Sequence, residues 1–163
     1  VTGRALLTHQ GKYAGRIVGA AIGAREAGEE LDAGPWGEHV TTADHVAVPQ
    51  VVFTDPEVAS AGRTEAQARA AGIDVRVIDI PIAVAGSSLQ ADDYDGAARM
   101  VVDASRGVLV GVTFVGQDVA EMIHAATIAI VGEVPLRRLW HAVPAFPTVS
   151  EVWLRLLEAY GRA

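Results

Sequence analysis

Two apolar runs separated by a short polar turn decide which class of fold is open to this chain. Residues 97–103 and 108–115 are rich in valine and other apolar residues, and the turn at 105–107 contains a glycine. Two such runs joined by a tight turn predict a β-hairpin, whose strands pair antiparallel. Residues 48–53 and 74–82 have the apolar or alternating character of two further strands. The sequence therefore predicts an antiparallel sheet.

Helical patterns follow these strands. Thr64 and Gln67 form a capping-box pattern that opens a helix ending at Gly72. Apolar residues at helical spacing predict another helix over 119–130. A last helix begins near Thr148, with an apolar face formed by Trp153, Leu156, Leu157 and Tyr160. Because strands gather before helices, we expect an α+β fold, in which helices pack on one face of an antiparallel sheet of roughly three to five strands.

The first segment of the chain has a different pattern. Residues 5–23 carry apolar side chains at helical spacing. A glycine also recurs there at every fourth position: Gly11, Gly15, Gly19 and Gly23. Each glycine costs a helix about 1 kcal/mol relative to alanine, so we expect close packing against a neighbour to hold this helix. Residues 25–44 show no period and predict a linker, after which a separate domain begins near Val46.

Charge and composition exclude several classes of function. The formal net charge of −7 argues against a nucleic-acid partner or an anionic membrane surface. No cysteine is present, which excludes disulfides, zinc–thiolate sites and a cysteine nucleophile from these residues. The five histidines lack metal-ligand spacing, so no metal site is assigned. No apolar run reaches the ~18 residues of a membrane span, and we expect a cytoplasmic location. The start at Val1, without a methionine, suggests a fragment.

Glu151 is the carboxylate of most interest. It follows Thr148 by three residues in the run Thr-Val-Ser-Glu, a capping-box pattern in which glutamate satisfies backbone donors at a helix start. His141 lies ten residues upstream of Glu151, in a run that Pro144 and Pro147 restrict to an extended shape. Such a run equally suits an interface. From the residues alone, the chain is an α+β domain with no particular reaction.

Three stretches, in the right order, resemble signatures of one known family. The run VPQVVFTDPEVASAGRTE at 48–65 resembles the strand and turn that open the dimerisation domain of the pyridine nucleotide-disulfide oxidoreductases. This family includes glutathione reductase, dihydrolipoamide dehydrogenase, mercuric reductase and soluble transhydrogenase. VLVGVTFVG at 108–116, followed by AEMI at 120–123, resembles the next signature. FPTVSE at 146–151 stands where the family carries His-Pro-Thr-x-x-Glu. TGRALLT at 2–8 resembles the stretch after the family's flavin-holding Gly-Asp.

The resemblance implies a division of the chain and a set of partners. Residues 1–24 are a C-terminal helix remnant of the FAD-binding domain, 25–45 a linker and 46–163 the dimerisation domain. The full-length enzyme is implied to use FAD and NAD(P)H and to form a homodimer through residues 46–163. The fragment, which lacks the FAD and nicotinamide domains, is expected to bind neither cofactor and to be inactive. Flavin contacts are implied, in the full-length dimer only, for Leu7, Thr8, His9, Phe146 and Pro147.

Phe146 departs from the family pattern. Disulfide reductases of the family carry a histidine here, paired with a glutamate as an acid–base dyad. Phenylalanine cannot exchange a proton, so the catalytic candidate that remains is Glu151. The resemblance then implies an enzyme that passes hydride from NAD(P)H through FAD to a non-disulfide acceptor, such as a quinone. The sequence leaves open the choice between NADH and NADPH, and whether His141 replaces the family histidine.

Two alternatives stay open at this point. One is a dihydrolipoamide dehydrogenase-like or mercuric reductase-like enzyme whose redox cysteines lie in the missing N-terminal part. The other belongs to a different class: a self-association module with no activity of its own.

Overall fold

The computed structural model describes residues 3–161, and the chain divides after Val48 into two compact units. Each unit is described by itself. Four terminal residues of the expected segments 1–24 and 46–163 lie outside the described residues: Val1, Thr2, Arg162 and Ala163. The division into a helix remnant, a linker and a dimerisation domain stays a prediction.

The first unit is built from one long helix and a loop region that contacts it. Helix α1 (Thr8–Ala27) ends at Gly28, whose φ of 72° is a left-handed conformation that glycine adopts without strain. A short helix, α2 (Ala43–Val46), closes the loop region. The side-chain amide of Gln10 donates to the Asp44 carboxylate over 2.8 Å, which ties α1 to α2.

Most of α1 is exposed. Gln10 and Ala24 are the α1 residues that are buried. At each of the four regularly spaced glycines, no heavy atom lies within 4 Å of the position that a β-carbon would take: Gly11, Gly15, Gly19 and Gly23. The helix forms as the sequence predicts, but the described residues of its own unit do not supply the close packing expected for the glycine strip.

The second unit contains, within residues 49–161, a five-stranded antiparallel sheet. Its strand order is β1-β2-β5-β4-β3. The strands are β1 (Pro49–Val52), β2 (Glu57–Gly62), β3 (Val75–Pro81), β4 (Ala97–Asp103) and β5 (Val108–Gly116). The predicted hairpin is the β4–β5 pair, and its turn closes with a hydrogen bond from Gly107 N–H to Asp103 C=O of 2.8 Å.

Helices lie between and after the strands. Thr64 caps the first of them as predicted, because Gln67 N–H donates to the Thr64 hydroxyl oxygen and Thr64 N–H donates to the Gln67 side chain. The helices described in the second unit are α3 (Glu65–Ala70), α4 (Ala85–Gln90), α5 (Val119–Val131), α6 (Leu136–Leu139) and α7 (Val152–Tyr160). A single turn of 3-10 helix, Val149–Glu151, precedes α7.

The core lies between one face of the sheet and helices α5 and α7. Ala59, Phe114 and Ala98 are register partners across β2, β5 and β4, so they share a face, and all three are buried. The Phe114 ring meets the Trp153 ring of α7 edge-on, with centroids 5.5 Å apart. From α5, Ile123 is buried at the predicted spacing. The α+β class, with helices on an antiparallel sheet, is confirmed.

In the second unit, the sequence patterns missed strand β2 and helix α4. β2 reads EVASAG, and Ala, Ser and Gly have low β-propensity, so its pairing comes from the neighbouring strands rather than from the strand itself. α4 reads AGSSLQ, too short and too polar to show a helical period. Both elements are specified by tertiary contacts.

Candidate functional site

The segment that carries the FPTVSE motif runs over the surface of the second unit. The Phe146 side chain is 70% exposed, and Pro147 is exposed as well. The Thr148 hydroxyl donates to the carbonyl of Ala145 over 2.6 Å, which closes a tight turn around the two residues. Phe146 and Pro147 are thus presented outwards on a constrained backbone.

In contrast to the exposed Phe146 and Pro147, Glu151 has a buried carboxylate. Its residue is only 6% exposed. One carboxylate oxygen accepts a hydrogen bond from the backbone N–H of Gly86 over 2.9 Å. The other oxygen forms an ion pair with the Arg155 guanidinium at 2.6 Å. Buried carboxylates are stable in proteins when both oxygens are engaged in this way.

The capping-box prediction for Thr148 and Glu151 is wrong. No side chain caps the helix start at Thr148, since the Thr148 hydroxyl donates backwards to Ala145. The 3-10 turn shifts the start of α7 to Val152, so Glu151 takes the N-cap position rather than the third helical position. Its side chain points to a different element, helix α4, instead of its own helix start.

Helix α4 supplies the surface on which this segment lies. A β-carbon at Gly86 would overlap the carbonyl oxygen of Thr148, so glycine is required for the contact. The Gln90 side-chain amide donates to the carbonyl of Pro147 over 3.4 Å. Ser87, fully buried, fixes the start of α4 through hydrogen bonds with the backbone of Val84.

Sequence reasoning missed the residues of α4 that contact this segment. Gly86 and Glu151 are 65 positions apart, and no local pattern links residues so distant. The Ala-Gly-Ser-Ser run at 85–88 was the available signal, because small residues mark close backbone approach.

His141 is exposed, and its backbone N–H bonds the carbonyl of Arg138 at the end of α6.

The other predicted cofactor contacts are in the first unit. Leu7 is the half-buried N-cap residue of α1, and it provides no side-chain hydrogen bond to the helix start. Thr8 and His9, both exposed, form the first turn, which contains no acidic residue. Since the two units are described separately, the flavin contacts expected for these residues stay predictions.

A further polar region of the second unit surrounds Tyr94. The Tyr94 hydroxyl donates to the carbonyl of Gln117, and burial together with the charges of Asp118 and Glu57 raises the pKa of Tyr94 above its usual value. The exposed aspartates Asp93 and Asp95 flank this tyrosine in the sequence. Across residues 3–161, no group of three or more histidine or acidic residues has an arrangement that could hold a metal ion. In the same part of the chain, no helix is long and apolar enough to cross a membrane.

Comparison with known proteins identifies the class. The profile of the family described as "Pyridine nucleotide-disulphide oxidoreductase, dimerisation domain" matches residues 48–157, which include the whole sheet and most of α7. The chain belongs to the pyridine nucleotide-disulfide oxidoreductase family, and its second unit is a dimerisation domain of that family.

Curated relatives extend the similarity into the first unit. The dihydrolipoyl dehydrogenase of Geobacillus stearothermophilus is 32% identical over 152 residues, which cover 93% of this chain and 29% of the relative. A dihydrolipoyl dehydrogenase of Mycobacterium tuberculosis is 38% identical over 114 residues, covering 70% of this chain and 25% of the relative. The chain therefore spans less than a third of the length of these relatives.

Solved structures agree with the fold. An HOCl-induced flavoprotein disulfide reductase from Escherichia coli superposes with a TM-score of 0.65 at 28% identity, over 72% of this chain and 27% of that protein. LpdA from Mycobacterium tuberculosis superposes with a TM-score of 0.70 over 88% of this chain and 29% of that protein. Because LpdA is only 19% identical, it supports the fold alone.

Proposed function

We propose that this chain is the dimerisation part of an FAD-dependent oxidoreductase that passes hydride from NAD(P)H through FAD to a non-disulfide acceptor, such as a quinone. The observation that carries the proposal is Phe146, which stands at the histidine position of an otherwise recognisable motif. A phenyl ring has no exchangeable proton, so it cannot act as the general acid in a dithiol–disulfide reaction. Hydride transfer from nicotinamide to flavin needs no such acid.

The domains that bind FAD and the nicotinamide are proposed to lie outside these 163 residues. In this arrangement residues 1–24 are the last helix of the FAD-binding domain, 25–45 a linker and 46–163 the dimerisation domain. The open glycine strip of α1 supports this assignment, because helices with such strips pack closely against neighbours and the described residues of its unit supply none. A cytoplasmic location stays a prediction.

The amino end of α1 is proposed to bind FAD through Leu7, Thr8 and His9. Neither a side-chain cap nor an acidic residue in the first turn offsets the positive end of the helix dipole. Such an end suits carbonyl oxygens and negative charge, so the residues present fit a flavin. Bound there, FAD would supply the hydride-accepting and electron-donating chemistry of the reaction. The role of α1 is to bind and orient.

Phe146 and Pro147 are proposed to contact the flavin of the other subunit in a homodimer formed through residues 46–163. Both side chains are exposed and available for such a contact. Pro144 and Pro147 restrict the backbone, so little conformational entropy is lost when the segment docks. The Phe146 ring would keep water away from the flavin edge.

An apolar groove supports the proposed homodimer. It lies between α5, α6, the 142–144 segment and α7 and has a volume of about 420 Å³. Ile128 and Val143 line it and are exposed. Exposed apolar surface of this kind marks association sites. Sedimentation equilibrium of the chain at micromolar concentration should give a dimer, and a monomer would contradict the proposal.

A dihydrolipoamide dehydrogenase-like enzyme is the second candidate. It is favoured by the names of the curated relatives, which are dihydrolipoyl dehydrogenases at 32% and 38% identity. Its redox cysteines, like those of a mercuric reductase-like enzyme, would lie outside these residues, since the chain contains none. A self-association module without activity is the candidate from a different class.

Acceptor preference in the full-length, FAD-loaded enzyme tests the proposal. NAD(P)H oxidation is measured with a quinone and with lipoamide, and the quinone should be the better acceptor. Phe146→His should shift the ratio towards lipoamide. Phe53→His is the matched control, because Phe53 is an exposed phenylalanine outside the motif, and the ratio should not change. Equal or better turnover of lipoamide by the unmodified enzyme would favour the second candidate instead.

A further inference from the structure

The buried carboxylate of Glu151 connects two elements that no local sequence pattern links. Its Oε2 atom accepts from the N–H of Gly86 in α4, over 2.9 Å. Its Oε1 atom pairs with Arg155, one turn further along α7, over 2.6 Å. Glu151 lies in the 3-10 turn that follows Phe146 and Pro147, the exposed residues of the FPTVSE motif. The two bonds therefore join α4 to the C-terminal end of the motif.

At residues 147 and 148, helix α4 contacts the backbone of the motif. Gly86 lies so close to the carbonyl of Thr148 that a β-carbon would not fit. One helical turn later, the Gln90 amide reaches the carbonyl of Pro147 over 3.4 Å. The position of residues 146–148 is therefore set by how α4 is held, and Glu151 is the only charged side chain among the described residues that bonds the backbone of α4.

We infer that Glu151 is a positioning residue that fastens α4 beneath residues 146–148 through Gly86 and Arg155, and that it does not transfer protons. Its effect on the reaction passes through the placement of Phe146 and Pro147, so this part rests on the proposed function. The contact that holds α4 beneath residues 146–148 is a property of this chain, and it does not depend on the electron acceptor of the reaction.

The two bonds of Glu151 contribute unequally to holding α4. The N–H of Gly86 is buried, and it would lose its acceptor if the carboxylate were removed. An unsatisfied buried donor is costly, whereas Arg155 is exposed, keeps a second partner in Glu158 and can turn to water. An amide at position 151 retains an oxygen for Gly86 and therefore keeps the more important of the two bonds.

Amide hydrogen exchange of the 163-residue chain, followed by mass spectrometry, tests the fastening without any cofactor. Glu151→Ala should speed exchange in both 84–90 and 144–151 by about tenfold or more, while β4 and β5 stay unchanged. Glu151→Gln should stay close to the unmodified chain. Glu158→Gln is the matched control, since it removes the charge of the other partner of Arg155 and should change neither segment. Faster exchange confined to residues 151–155 would overturn the inference.

Gly86→Ala provides an independent route if Glu151→Ala does not fold. It disturbs the same contact from the α4 side and leaves the carboxylate in place, so exchange should again rise in both 84–90 and 144–151 together. A rise in exchange in only one of the two segments would overturn the inference that Glu151 holds α4 beneath residues 146–148.

Turnover separates positioning from proton transfer. In the full-length, FAD-loaded enzyme, Glu151→Ala should lower kcat/KM by about tenfold, and Glu151→Gln should restore it to within about threefold. A glutamine as inactive as the alanine, in a chain with normal exchange, would show that the carboxylate transfers a proton and overturn the inference. If the quinone is not reduced at all, the proposed function fails, but the exchange result stands by itself.

Discussion

The glycines of helix α1 and several glycines of the second unit have opposite surroundings. Along α1 the glycines at 11, 15, 19 and 23 face open space. In the second unit, β-carbons at Gly86, Gly96 and Gly111 would overlap backbone oxygens of neighbouring segments. These three glycines of the second unit therefore allow close backbone contacts within it, whereas the glycine strip of α1 meets no described neighbour. This difference indicates a second unit that is complete and a helix shaped for a neighbour.

The apolar residues show the same contrast. Phe114, Met100 and Leu156 are fully buried in the second unit, while α1 buries only Gln10 and Ala24 and leaves Val18 and Ile22 exposed. Burial of apolar surface is the main stabilising contribution to folding. We expect substitutions in the second unit to change the free energy of unfolding strongly and equivalent ones in the first unit to change it little.

The largest expected effect comes from the centre of the core. Phe114→Ala removes a fully buried ring and its edge-on contact with Trp153, and it should lower the free energy of unfolding by about 4 kcal/mol. Leu6→Ala is the matched control, because Leu6 is 82% exposed, and its effect should stay below about 0.5 kcal/mol. Urea denaturation followed by tryptophan fluorescence measures both. Similar losses of unfolding free energy in the two variants would contradict the expected difference between the two units.

A single added methyl group should have the next largest effect. At Gly111 a β-carbon would overlap the carbonyl oxygen of Arg63, so Gly111→Ala should cost the second unit about 3 kcal/mol in free energy of unfolding. Urea denaturation again provides the measurement. A neutral Gly111→Ala would mean that the backbone there yields easily and that the packing argument fails.

The same substitution in α1 should have the opposite sign. Gly15→Ala meets no atom within 4 Å and removes a poor helix former, so it should stabilise the helix by about 1 kcal/mol in this chain. Far-ultraviolet circular dichroism during denaturation reports the change. In the full-length enzyme we expect the gain to disappear, because the added methyl would meet the proposed neighbour. A gain of equal size in both would argue that no neighbour covers the strip.

A smaller, pH-dependent effect is expected at Tyr94. The pKa of this phenol is raised chiefly by burial and then by Asp118 and Glu57. The unfolded chain loses the tyrosine proton near its ordinary pKa of about 10, whereas the folded chain keeps it to higher pH. The contribution of Tyr94 is therefore complete below about pH 10 and is lost as pH rises through the raised pKa.

The comparison of the unmodified chain with Tyr94→Phe measures this contribution. At pH 8 the tyrosine should be the more stable by about 1 kcal/mol, from its hydrogen bond to the Gln117 carbonyl. As pH rises above about 10, the difference in free energy of unfolding should shrink. A constant or growing difference would mean that the environment of Tyr94 does not oppose ionisation.

Elements with a strong local pattern could be predicted from the sequence. The apolar runs and turn of β4 and β5, the capping box of α3 and the apolar spacing of α5 all appear where they were expected. Each of these signals involves residues close together in the chain. The class of fold follows from them, since an antiparallel hairpin with later helices admits few arrangements.

The candidate site could be predicted only in part. The motif at 146–151 was recognised, but the partners of Glu151 were not, because the Gly86 contact joins distant parts of the chain. The capping-box pattern of Thr148 and Glu151 was misleading, since the intervening 3-10 turn changes which backbone donors the carboxylate can reach. Phe146, the residue on which the proposed electron acceptor rests, was recognised from the sequence as well.

Hydrogen exchange across the whole chain tests the contrast between the units most directly. Amides in α1 are held by a helix with four glycines and little burial, whereas those in β4 and β5 lie at the centre of a packed sheet. We predict that amides of β4 and β5 exchange more slowly than those of α1 by roughly 100-fold or more. Equal protection of α1 and β5 would show that the first unit is as complete as the second, and it would contradict the account.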